Sequence, residues 1–143
     1  MRWGTRPRWA RWVAAAYVVG FLEGTASHAY DLCAGGLHAY RNWPVPSQLL
    51  FYALLVLEPL AAAWVVLARP AGPVLGSALM AADLTANWWA NWRGVIRDPL
   101  AYLQPVGLAP ITLFGLFVFV TATPLGRSSR STEPPPVDDR SSA

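Results

Sequence analysis

The chain has 143 residues, 55% of them hydrophobic and only 13% charged, where a soluble domain carries about 25% charged residues. Four membrane spans of about 20 residues each would use most of such a chain and leave no room for a separate soluble catalytic domain. All 11 basic residues are arginines and the net charge is +3, but they flank apolar runs instead of clustering into the basic surface a nucleic-acid partner would need. The expected fold is therefore an all-α, membrane-embedded four-helix bundle, and no nucleic-acid partner is expected.

Residues 1–11 form an Arg- and Trp-rich cytoplasmic lead, with Trp3, Trp9 and Trp12 suited to the headgroup level. A first span is expected over 12–32, with Glu23 near its middle and Gly20-x-x-x-Gly24 offering a close-packing face. A cleaved signal peptide is the rival reading, but no clean Ala-x-Ala site follows the apolar core. Gly35 and Gly36 end this helix, and His38 to Pro46 read as an aromatic interfacial loop, with Ser47 as N-cap of the next element.

The second span, 49–68, carries one acid, Glu58, followed by Pro59, which removes a helical hydrogen bond and invites a kink. After the turn Arg69-Pro70-Ala71-Gly72-Pro73, a third span covers 74–92 and begins with Gly72-x-x-x-Gly76. In it Asp83, Asn87 and Asn91 recur every four residues and form one polar ladder. Ala78, Ala82, Ala86 and Ala90 form a second ladder, which is expected to pack closely. Trp88, Trp89 and Trp92 mark the far interface.

Asp98-Pro99 reads as cap and first turn of a short segment, Leu100 to Gln104, before Pro105 resets the chain. A fourth span is expected over 106–123, with Pro110 bending it. Residues 124–143 read as a disordered cytoplasmic tail. Arginine counts on either side of the spans place both termini in the cytoplasm of a bacterial inner membrane.

The strongest chemical signal is that Glu23, Glu58 and Asp83 fall near the middle of three different spans. Each intramembrane charge costs about 2.5 to 3.5 kcal/mol to insert, so all three are expected to face the bundle interior as ligand-binding or proton-titrating groups. Asn87 and Asn91 extend this set on the third span, and His28 and Asp31, three apart on the first, extend it outwards. Trp88 and Trp92 are expected as an aromatic wall, because Trp faces attract ammonium groups. A metal site from His28, Asp31, Cys33 and His38 lacks ligand spacing, so neither metal nor cofactor is expected. No Gly-rich phosphate loop or nucleophile elbow is present, so no catalytic residue is assigned.

His28 and Asp31 in the first span, Glu58-Pro59 in the second and Asp83 in the third resemble the layout of the EXPERA family, which includes emopamil-binding sterol isomerases and sterol-binding receptors. That resemblance implies a four-helix bundle with a cavity open sideways to lipid, where acids bind an amine or stabilise a carbocation. A lipid or sterol-type isomerase is the one enzymatic reading it allows. A shorter first loop, and a fourth span without Trp or Asn, depart from that pattern. Glu23 within Leu-Glu-Gly-Thr is similar to the first helix of small multidrug resistance transporters. More broadly, the chain resembles small four-span proteins of high-GC bacteria.

The function expected from these residues is binding of a lipophilic or cationic small ligand in a polar intramembrane cavity, with membrane lipid as surroundings. The alternatives are a proton-coupled small transporter acting as a homodimer, and a structural or assembly subunit without ligand.

Overall fold

The computed structural model describes Trp3, residues 6–104 and residues 107–130. Four helices carry the chain: α1 (Arg8–Gly35), α2 (Val45–Val66), α3 (Ala71–Arg97) and α4 (Leu108–Arg130), with short 3-10 turns at Gly36–His38 and Pro99–Tyr102. No strand occurs among the described residues, so the all-α expectation holds.

α1 and α3 begin earlier and end later than the apolar runs that announce them, α2 begins earlier but ends at Val66, and α4 begins at Leu108 but ends later. α1 takes in Arg8 and Arg11, α3 continues past Trp92 to Arg97, and α4 runs through Pro124 to Arg130. The expected tail boundary at 124 is corrected by this last helix, because Leu125 is buried against the bundle and holds the extra turns in place. Residues 131–143, for which a disordered tail is expected, lie outside the described residues, as do Pro105 and Val106. Pro110 sits in the first turn of α4, where its missing N–H costs no helical bond, so it starts the helix and does not bend its middle.

Other caps differ too. Ser47 lies inside α2 and is buried, the N-cap being Pro44, which offers no side-chain cap. Asp98 does cap its 3-10 turn, Oδ1 accepting from the Ala101 N–H at 3.3 Å. Gly36 ends α1 at φ +59°, a conformation open to glycine at little cost.

At the end of α2 the Arg69 N–H bonds the Trp64 carbonyl at 2.9 Å and the Ala68 N–H bonds that of Val65 at 2.8 Å. This pair of bonds is a Schellman motif, and its left-handed position is filled by Ala68 at φ 53° where glycine is usual.

Side-chain contacts fix the up-and-down topology. At one end Trp3 Nε1 donates to the Val66 carbonyl at 2.6 Å, and the Arg6 guanidinium bonds the carbonyls of Ser128 and Ser129, joining the start of α1 to the ends of α2 and α4. At the other, Trp88 Nε1 donates to Thr112 Oγ1 at 3.0 Å, joining the last turns of α3 to the first of α4. The helices thus pack in sequence order around the bundle, α1 on α2, α2 on α3 and α3 on α4, while α4 meets α1 along a looser seam.

That seam is held in its lower half by aromatic edges. Tyr17 and Phe21 are fully buried, Phe21 meets Phe114 edge-on at 5.5 Å, and the Tyr17 hydroxyl donates to the Val118 carbonyl at 2.8 Å. Glycines admit these rings: Gly20 receives Phe114 and Gly76 receives Phe21, while Gly72 lies against the backbone of Trp64 and Val65. The alanine ladder does not pack as expected. Ala78 and Ala82 are exposed and only Ala86 is buried, so the small residues that admit neighbours are the glycines.

Two helices, α2 and α4, are long and apolar enough to cross a membrane. α1 and α3 carry the polar stripes, which lower their hydropathy.

Candidate functional site

The upper halves of α1, α2 and α3, the 39–43 turn and the first turns of α4 enclose a cavity of about 350 Å³. Six of the residues singled out in the sequence line it: Glu23, His28 and Asp31 from α1, Glu58 from α2, and Asp83 and Asn87 from α3. α-Helical spacing explains the grouping, since 23, 27, 28 and 31 project from one face of α1 and 83 and 87 from one face of α3.

Depth differs among the acids. Asp83 is 2% exposed and Glu58 3% exposed, whereas Glu23 is exposed and stands with Val19 at the outer edge of the cavity. Glu23 is therefore a rim residue and does not share the burial of Glu58 and Asp83. Its place beside Glu58 and Asp83 is taken by His28: each of these three offers one ligand atom, and those atoms lie within 4.8 Å of one another.

Each of the three is held by an outer partner. Asn87 Nδ2 donates to Asp83 Oδ1 at 2.9 Å and to the Asp83 carbonyl at 3.1 Å. The Thr25 hydroxyl lies within hydrogen-bond distance of the Phe21 carbonyl (2.8 Å) and of Glu58 Oε2 (3.2 Å). The Tyr40 hydroxyl donates to Asp31 Oδ2 at 3.1 Å and lies 3.0 Å from His28 Nδ1.

A phenol has one proton. With that proton on the Asp31 side, His28 Nδ1 must be the protonated nitrogen, donating to Tyr40, and Nε2 keeps the lone pair. Burial, and then the adjacent Asp31 carboxylate, push the Tyr40 hydroxyl above the usual phenol range, so it remains a donor at any ordinary pH. Tyr40 is itself fixed by Phe51, Trp43 and Tyr52, with ring centroids at 5.0, 6.3 and 5.5 Å, and His28 stacks on Phe51 at 5.2 Å.

Four acids thus face one cavity that no arginine lines among the described residues, in a chain without lysine. Packing two buried carboxylates side by side is costly unless a positive charge, or a proton, joins them. Aromatic faces from Tyr40, Trp43, Phe51 and Phe114 complete the walls.

Asn91 does not reach the cavity. Its Nδ2 donates to the Asn87 carbonyl of its own helix at 2.9 Å, so the ladder is continuous but only its first two rungs face inward. Trp88 and Trp92 are not the wall of the acidic cavity either. With Trp89, Asn42, Trp43 and Arg93 they line a separate hollow of about 560 Å³ at the same end of the bundle, and Trp43 stands between the two. Cys33 and His38 are exposed and line neither cavity.

No family model matches this chain, and neither does any curated protein or solved structure.

Tyr40, Phe51, Thr25 and Gly24 were not legible as site residues. Tyr40 carried a partial signal, an aromatic in a loop directly after a helix that bears His28 and Asp31. Gly24 was read as a helix-packing residue, whereas it makes room for the Glu58 carboxylate.

Proposed function

We propose that this chain is a four-span integral membrane protein whose cavity binds a lipophilic small cation. The observation that carries the reading is the lining: Glu58 and Asp83 buried at the inner end, Asp31 and Glu23 further out, four aromatic rings around them and no basic side chain but His28. A cavity of this volume suits a small organic ligand. The acids supply charge for an ammonium group, and the rings supply both apolar contact and cation–π attraction. Val19 and Glu23 open the cavity outwards along the loose α1–α4 seam, which favours entry from the side, as the EXPERA resemblance implies.

Membrane embedding is supported by the apolar lengths of α2 and α4 and by the outer surface. Val19, Val56, Val74, Leu113 and Val120 are each between 63% and 76% exposed, a belt that would invite aggregation in water but suits lipid. Arg6, Arg8, Arg11, Arg69 and Arg127 lie at one end of the bundle and Arg41, Arg93 and Arg97 at the other, which favours cytoplasmic termini by the positive-inside rule.

The test is discrimination between a charged and an uncharged ligand of one shape. Full-length protein in lipid nanodiscs should bind a hydrophobic tertiary amine about tenfold or more tightly than its neutral carbon isostere, a difference of about 1.4 kcal/mol. Equal affinity for the two would remove the cationic-ligand reading.

A further inference from the structure

The inner end of the cavity is more specific than a cation-attracting surface, because three different helices bring one imidazole and two carboxylates to a single point. From this convergence we infer that His28, Glu58 and Asp83 form a binding site for one divalent transition-metal ion of the zinc class. This site goes beyond the lipophilic-cation reading and does not depend on it.

The donor set decides the chemistry. One imidazole nitrogen with two carboxylate oxygens is a ligand set for zinc-class ions, whereas calcium asks for six or more oxygens and magnesium for a largely hydrated octahedron. The ligand atoms already lie within 4.8 Å of one another. Bonds of about 2.0 to 2.2 Å in tetrahedral geometry place donors roughly 3.4 Å apart, so closure needs side-chain movements on the order of 1 Å.

Two further observations separate this trio from an incidental cluster. Asp83 is 98% buried and Glu58 97% buried by their exposures of 2% and 3%. Yet Asp83 Oδ2 and Glu58 Oε1 make no hydrogen bond among the described residues, while both side chains line the cavity. Both spare oxygens belong to acids whose other oxygen is already fixed, by Asn87 and Thr25.

The third donor is prepared in the same way. The Tyr40–Asp31 hydrogen bond consigns the imidazole proton to Nδ1 and leaves the Nε2 lone pair for an ion. A metal ligand histidine with a hydrogen-bonded second nitrogen, and carboxylates steadied by outer partners, is the arrangement that orients ligands and strengthens their binding. A divalent ion would also take the place of the proton or positive charge that two adjacent buried carboxylates require, since no arginine among the described residues lines the cavity. The remaining coordination positions would face the cavity, open to water or to a ligand's oxygen.

The test uses full-length protein in detergent or nanodiscs, stripped with a chelator and titrated with Co²⁺ and Zn²⁺. Wild type should bind one Co²⁺ per chain with visible absorption bands that Zn²⁺ displaces. His28→Gln, Glu58→Gln and Asp83→Asn should each weaken binding by about 100-fold, and His38→Gln and Cys33→Ser should not change it. Should a carboxylate variant fail to fold, X-ray absorption on the Zn²⁺-loaded wild type decides: one imidazole and short oxygen ligands support the site.

Absence of saturable Co²⁺ binding, binding that survives the site variants, loss in His38→Gln, or a Zn²⁺ shell without imidazole would each overturn it. Amine binding measured with chelator present reads the lipophilic-cation proposal separately, so either can fail without the other.

Discussion

Gly24 of α1 lies directly against the Glu58 carboxylate of α2: a Cβ at Gly24 would stand 2.5 Å from Oε1 and 3.0 Å from Cδ. The smallest residue on α1 thus sets where the deepest acid of α2 rests, one turn below His28. The Gly20-x-x-x-Gly24 pair looks like a helix-dimerisation motif, but its two glycines admit different guests, a phenyl ring and a carboxylate.

Gly24→Ala should therefore act on the site more than on the bundle. Glu58 must turn away from the cavity to make room, and affinity for a cationic ligand should fall by about tenfold, in the range lost when a supporting group is misplaced. Circular dichroism should show unchanged helix content. Retained affinity in Gly24→Ala would mean that Glu58 is not part of the binding surface.

Gly72 offers the contrasting case, because its neighbours are backbone atoms. A Cβ there would come within 2.9 Å of the Trp64 carbonyl carbon and the Val65 nitrogen, which cannot swing aside. Gly72→Ala should separate α2 from α3 and destabilise the bundle by about 1 to 3 kcal/mol, read by denaturation in detergent. Ligand binding measured well below the transition should persist, since the cavity lies at the other end.

At the α2–α3 turn, Ala68 holds a left-handed conformation at φ 53°. An L-residue other than glycine is strained there by about 1 to 2 kcal/mol. Ala68→Gly relieves that strain and adds unfolded-state freedom, leaving a net gain of about 0.5 to 1 kcal/mol as a raised unfolding midpoint. A lowered midpoint would show that the buried methyl group contributes more than the strain costs.

Tyr40→Phe removes one oxygen and leaves the ring packing with Phe51 and Trp43 in place. It deletes the link that joins Asp31 to His28 Nδ1. Loss of such a supporting hydrogen bond should weaken binding at His28 by about 10- to 100-fold. Tyr52→Phe, whose hydroxyl donates to the Leu37 carbonyl at 2.8 Å, is the matched control and should leave binding unchanged.

The sequence revealed the helices more readily than their ends. Apolar content located the four cores, but the additional turns at Arg8, Arg97 and Arg130 mix arginines with isolated apolar residues such as Trp9, Ile96 and Leu125, too few to extend an apolar run. Asp83 and Glu58 were legible because an acid in an apolar run is costly wherever it points. Glu23 satisfied the same criterion and came out on the rim, since position along a helix gives depth and says little about which way the cavity opens. His28 was visible only as one of a pair with Asp31. Its partner Tyr40 reaches it through a tight turn after Gly36, a geometry that periodicity along α1 does not encode.

The proposed function turns on recognition of positive charge by the buried carboxylates. It is tested most directly by measuring the affinity of one hydrophobic tertiary amine and its neutral isostere for wild type and for Asp83→Asn and Glu58→Gln in nanodiscs. Each substitution should weaken amine binding by about 100-fold, roughly 2.7 kcal/mol, and leave the neutral isostere's affinity unchanged. Equal losses for both ligands, or no loss for the amine in folded variants, would contradict it.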